Sequence, residues 1–182
     1  MRTDDARAAP SFSAEQRAAL ERAVTRARSW LRAGAAAAAP AAEPGAEPPG
    51  VLFAGGEREA AQRAAKQLAR ELGRELYRVT LATVVSRYVG ETEKNLSRVL
   101  ETAERTGAVL FFDESDALFA SRTDVKDSHD RFAALDTGQL LQRLTSFPGL
   151  AILSCRQTLP QLGTAAHQFH CVVELHPSPP QP

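Results

Sequence analysis

The chain has 182 residues, 43% of them apolar, enough for one ordinary domain core and an appendage. Its 22 basic and 22 acidic side chains balance, so net charge supplies no bulk attraction to nucleic acid or to an anionic membrane. No apolar run approaches the ~20 residues of a membrane span, and "MRTDDARAAPSFS" lacks the apolar segment of a secretory signal, so the cytoplasm is the expected compartment.

In chain order, the first expected element is a helix within residues 1–32. Ser13 and Gln16 stand at capping-box spacing, and Leu20, Val24 and Leu31 form a thin apolar stripe at helical period. One narrow face must be covered, so this helix is expected to pack on the main domain or on a neighbouring chain. Residues 33–50, rich in Ala, Pro and Gly and without periodicity, read as a semi-stiff linker.

From Val51 the pattern changes. The short apolar runs "VLFA", "LYRVTL", "AVLFF", "LAILSC" and "CVVEL" alternate with longer segments of helical period, which predicts an α/β core over residues 51–176 with a largely parallel sheet. "AVLFF" has no alternation, as a strand buried on both faces requires. "AAQRAAKQLARELG" and "TEKNLSRVLETAERTG" are its helices, each closed by a glycine suited to a C-cap, Gly73 and Gly107. Cys155 and Cys171 sit in apolar runs without partners at metal-ligand spacing and read as core thiols. Residues 177–182 are a Pro-rich tail.

The stretch that carries chemistry is "AVLFFDESDALF". A buried strand that ends in two adjacent carboxylates, Asp113 and Glu114, carries a desolvation cost unless the charges are used. At the carboxyl end of a parallel strand they face the crevice where such sheets bind ligands. The plain alternative is a strand end capped by solvated acids.

"VLFAGG", the run from Val84 to Arg122 containing "VVSRYVGETEKNLSRVLETAERTGAVLFFDESDALF", and "LLQRLTSFPGLAILSC" together resemble the large α/β subdomain of AAA ATPases. The similarity extends over roughly Val51 to Glu174. It implies a P-loop NTPase fold, a five-stranded parallel sheet flanked by helices, with ATP and Mg²⁺ as cofactors and assembly into rings. It also implies Asp113 as the Mg²⁺ ligand, Glu114 as the residue that polarises the attacking water, and Tyr88, Val89 and Gly90 as a loop that grips a polypeptide substrate.

The family's phosphate loop, G-x-x-x-x-G-K-T, fits this chain poorly. Counted without gaps from Gly55, with Gly56 as the next residue of the loop, the second glycine falls on Ala60, the lysine on Ala61 and the threonine on Gln62. Nothing at Ala61 supplies the point charge that the β- and γ-phosphates require, and Ala60 resists the positive φ that turns backbone N–H groups toward them. Glu57 and Glu59 would each repel a phosphate charge about 6 Å away by ~3 kcal/mol at an effective dielectric of ~20. The helix is therefore expected to start early, near Glu57, with Glu59 and Arg63 paired at i, i+4. Arg58 is expected to point away, and the vacated phosphate site to be filled by the carboxylates of Glu57 and Glu59. Arg156, His167 and Gln168 stand at further positions where the family carries polar or arginine catalytic groups, with His170 nearby. The family's helical lid is not expected after "HPSPPQP".

The favoured reading is a pseudo-ATPase that acts as a scaffold or as an inactive subunit beside an AAA paralogue. A working ATPase that remodels protein substrates is the alternative, with Arg58, Arg63 or Lys66 replacing the lysine; a truncated remnant is the third. A protein partner and homo- or hetero-oligomers are expected, and neither nucleic acid nor membrane.

Overall fold

The computed structural model describes residues 12–36, 50–85, 91–119, 140, 142–144, 147–169 and 171–175. Its five strands lie on the five apolar runs: β1 (Gly50–Ala54), β2 (Leu76–Thr80), β3 (Val109–Asp113), β4 (Ala151–Cys155) and β5 (Cys171–Glu174). Every pairing is parallel and the spatial order is β2-β3-β4-β1-β5. The chain leaves β1, crosses to the far edge to form β2, then returns strand by strand to β1 before adding β5 on its other side. That reversal at β1 opens a crevice at the carboxyl ends of β1, β3 and β4, the place where open parallel sheets receive ligands.

Strands β1, β3 and β4 are buried at every residue, because helices cover both faces. The period of two sorts their side chains into two cores. On one face Leu52, Leu110, Phe112 and Leu153 pack with Leu96 and Ala103 of helix α4 (Glu91–Thr106). On the other Val51, Phe53, Phe111, Ile152 and Val173 meet Ala64, Ala65 and Leu68 of helix α2 (Arg58–Glu71). Between them, after β2, lies the single turn α3 (Leu81–Val84).

The N-terminal helix α1 (Ala14–Ala36) belongs to this second core. Leu20, Ala23, Val24 and Ala27 are buried against the α2 face of the sheet, so its apolar stripe is covered within the same chain. Its capping box forms reciprocally: the Ser13 amide donates to Gln16 Oε1 at 2.9 Å and the Gln16 amide donates to Ser13 Oγ at 3.1 Å. The helix runs on through Ala36, four residues past its expected limit at residue 32.

Both helices that follow strands end as the sequence indicates. Gly73 and Gly107 adopt φ of +66° and +67°, and after α2 the Arg74 amide reaches back to the Ala69 carbonyl at 3.0 Å. Both cysteines are free. Burial, assisted by the nearby Asp116 charge, pushes the Cys155 thiol up to about 12, so it is a packing group and not a nucleophile. Among the described residues no helix is long and apolar enough to cross a membrane.

Candidate functional site

Strand β3 delivers Asp113 to the floor of the crevice, with its side chain 1% exposed. One of its oxygens, Oδ2, is fully partnered. Arg78 of β2 reaches Oδ2 at 2.8 Å, Gln62 Nε2 of α2 donates to it at 3.0 Å, and Arg58 Nε of α2 at 3.1 Å. Ser154 of β4 approaches the other oxygen, Oδ1, at 3.5 Å. Side chains from three other elements therefore converge on one buried acid.

Parallel register explains how Arg78 gets there. Arg78 aligns with Phe111 and Thr80 with Asp113, so Arg78 lies on the same face of the sheet as Asp113 and one step behind it. A long guanidinium side chain on the edge strand spans that step.

Glu114 follows at φ 58°, ψ 49°, the single non-glycine residue with positive φ among the described residues. The left-handed turn swings its side chain to the cleft rim, where it is 51% exposed and accepts from Arg58 Nη1 at 3.0 Å. The chain then enters a short 3-10 turn (Ser115–Leu118), anchored by the Ser115 hydroxyl on the Phe112 carbonyl at 3.0 Å. Arg58 thus bridges two consecutive carboxylates with one guanidinium. The charges of Arg58, Arg78, Asp113 and Glu114 sum to zero.

A left-handed glutamate costs roughly 1–2 kcal/mol of backbone energy. A half-exposed ion pair returns about 0–1 kcal/mol, and a glycine would lose ~0.5–1 kcal/mol more chain entropy on folding. Glu114→Gly is therefore expected to unfold within about 1 kcal/mol of the parent in a urea titration, whereas Glu114→Val, β-branched and intolerant of positive φ, loses more than that. Destabilisation of Glu114→Gly beyond ~2 kcal/mol would show that the carboxylate holds the fold through more than the Arg58 pair.

Three residues, Gly55, Gly56 and Glu57, join β1 to α2. Gly55 takes φ +73° and its amide donates to the Cys155 carbonyl at 3.1 Å, which ties the loop to β4. Gly56 lies against Leu175: a Cβ there would stand 2.5 Å from Leu175 Cβ and 2.7 Å from its carbonyl oxygen. Helix α2 is under way by Arg58, with the Ala61 amide bonded to the Glu57 carbonyl at 3.1 Å. Ala60 is half-buried and Ala61 buried, both inside the first turns of the helix.

The early helix start and the Glu59–Arg63 pair, 3.8 Å apart, agree with the sequence reading. Two expectations are corrected. Glu57 and Glu59 are exposed and fill nothing. Arg58 does not point away; it extends into the crevice, drawn by two adjacent carboxylates of which Arg78 neutralises only one.

The crevice is a cleft of about 480 Å³ lined by apolar groups, among them Phe53, Ala61, Cys155 and Leu175, and by the charged Arg58, Asp113, Glu114, Asp116 and Arg156. On its far wall Asp116 Oδ1 accepts from the Arg156 amide at 2.8 Å, and the Arg156 side chain, 83% exposed, stands 3.7 Å from the same oxygen. His167 and Gln168 are exposed on a 3-10 segment (Gly163–Gln168). Tyr88, Val89, Gly90 and His170 lie outside the described residues.

Sequence reasoning did not assign Arg78, Ser154 or Asp116 to the site. Arg78 had a signal: an arginine at an alternate position of an otherwise apolar strand, in the element next to the strand that carries the acids.

A family model for the ATPase family associated with various cellular activities (AAA) matches residues 63–158. An uncharacterized AAA family ATPase of Sinorhizobium fredii, y4kL, is 46% identical over 48 residues, 26% of this chain and 14% of that protein. The ATPase-like fidgetin of Schizosaccharomyces pombe is 31% identical over 67 residues, 36% of this chain and 10% of that protein. The matched regions are thus a small part of either relative. The solved FIGL-1 AAA domain in complex with ADP superposes with a TM-score of 0.57 at 17% identity, over 86% of this chain and 51% of that one, a likeness of fold.

Proposed function

The chain belongs to the AAA family of ATPases, and we propose that this domain is a pseudo-ATPase, a scaffold or inactive subunit that works through protein contacts and not through ATP turnover. The observation that carries the reading is the saturation of Asp113 Oδ2 by Arg58, Arg78 and Gln62.

Members of the family use ATP with Mg²⁺, and the residues present do not fit that group. A divalent cation requires open carboxylate oxygens, and Oδ2 of Asp113 already accepts three donors within 3.1 Å. A guanidinium bridges Asp113 and Glu114. The loop offers three residues before the helix begins, too few to wrap backbone N–H groups around a polyphosphate, and Gly56 is pinned against Leu175. With Ala61 where the family has its lysine, the cations that line the cleft among the described residues are Arg58, held by two carboxylates, and Arg156, which stands beside Asp116 on the far wall.

The competing reading makes Arg58 the replacement for that lysine in a working ATPase. The two ion pairs of Arg58 count against it: a phosphate would have to draw this side chain away from a carboxylate that is 1% exposed.

Equilibrium titration of the purified chain with a fluorescent ATP analogue and Mg²⁺ tests the proposal. No saturable binding is expected below ~1 mM, a free energy weaker than about −4 kcal/mol. Micromolar affinity sinks the reading.

A further inference from the structure

We propose that Arg58 is an internal stand-in for the bound cation: one guanidinium across Asp113 and Glu114 closes the cation site, and this residue, more than the missing lysine, keeps nucleotide out. The inference rests on the pseudo-ATPase reading and goes one step past it, from whether nucleotide is excluded to which residue excludes it.

The geometry carries the assignment. Arg58 Nε stands 3.1 Å from Asp113 Oδ2 while Nη1 of the same group stands 3.0 Å from Glu114 Oε1. Planar donors in a fixed fork suit two carboxylates set side by side, as a compact ammonium would not. The bridge spans the crevice from the first residue of α2 to the end of β3, the two elements that a ligand at this switch point would join. Arg58 is also available to occupy the cleft because the loop is short: with three residues between β1 and α2, the first helical side chain falls at the cleft mouth. Glu114 is held in its left-handed conformation with Arg58 as its partner across the rim, so the acid that would face a reacting water is held by the same group.

The consequence is a defined order of repair. Supplying a glycine and a lysine at positions 60 and 61, in the first turn of α2, adds attraction for phosphate, but the cation site stays closed until Arg58 is also removed. The test compares the full chain carrying Ala60→Gly and Ala61→Lys with the same chain also carrying Arg58→Ala. Gln62 is left unchanged because it too holds Asp113. Both are titrated with N-methylanthraniloyl-ADP in the presence of Mg²⁺, and cooperative unfolding is checked in each.

At least tenfold tighter binding is expected when Arg58 is absent. Equal affinities, or no binding by either folded variant, overturn the assignment. Should the lysine variants fail to fold, a double-mutant cycle between Arg58→Met and Asp113→Asn in the unaltered loop decides instead. A coupling of at least tenfold in the unfolding constant is expected, and less than twofold overturns the assignment. Micromolar nucleotide binding by the parent chain would sink the pseudo-ATPase reading by itself, whichever way these variants behave.

Discussion

Replacing both Arg58 and Arg78 by methionine is expected to destabilise the chain by about 3–5 kcal/mol, the usual cost of stripping the partners from a buried charge. Asp113 is 1% exposed, and without the two guanidinium groups it would keep the Gln62 amide at 3.0 Å and a long contact to Ser154 at 3.5 Å. The methionine side chains offer no hydrogen bond in place of the lost donors. The converse change is milder. Asp113→Asn removes the charge, and Arg58 and Arg78, 48% and 44% exposed, can turn toward solvent. Its cost should be about 1–3 kcal/mol, that of disturbed hydrogen bonds.

The sign of the combination is diagnostic. Adding Asp113→Asn to the double methionine variant should restore stability, because it discharges the group left stranded. Urea unfolding of the four chains measures this. A triple variant less stable than the double would mean that the carboxylate is not held as a buried charge. At roughly 2–4 °C of Tm per kcal/mol for a chain of this size, the double variant should melt some 6–20 °C below the parent.

The same buried acid shows what the sequence made legible and what it did not. That "AVLFF" would be a central strand followed from five apolar residues without alternation, and that Asp113 would sit at its carboxyl end followed from the boundary itself. The capping box at Ser13 and Gln16, the glycine-closed helices and the early start of α2 are local features, set by residues three or four apart, and local features can be read from one line of sequence. The destination of Arg58 is not local. It depends on a side chain 55 positions away, and that distance is bridged only by the crossover that places β3 beside the β1–α2 loop.

Net charge misled in the same way. Glu57 and Glu59 outnumber Arg58 in "GEREA", so an electrostatic sum along the chain predicts an acidic loop. In the fold the two glutamates face water, where their field is screened, while the single arginine enters the cleft. Direction, not count, decides the local potential. On the proposed reading, phosphate is kept out by an ion-paired cation in the cleft and not by repulsion from the two glutamates.

Gly56→Ala is expected to cost about 1–3 kcal/mol or more, although the change adds one methyl group and the residue needs no positive φ. The new carbon would stand 2.5 Å from Leu175 Cβ and 2.7 Å from the Leu175 carbonyl oxygen, and neither can retreat. Leu175 is 1% exposed in the core that α1 and α2 share, and its amide is bonded to the Ala54 carbonyl at 2.8 Å, which fixes the end of β5 to the end of β1. Relief must come from the loop, which is anchored at Gly55 by its bond to Cys155 and at Arg58 by its two carboxylates. A phosphate-binding role for Gly56 predicts a different outcome, since alanine there would leave the fold intact and change only ligand affinity. A lowered midpoint in thermal unfolding without nucleotide therefore identifies Gly56 as a packing glycine, kept for the approach of β5. A melt superimposable on the parent's would return the residue to the phosphate loop and would weaken the view that this segment has been rebuilt around Arg58.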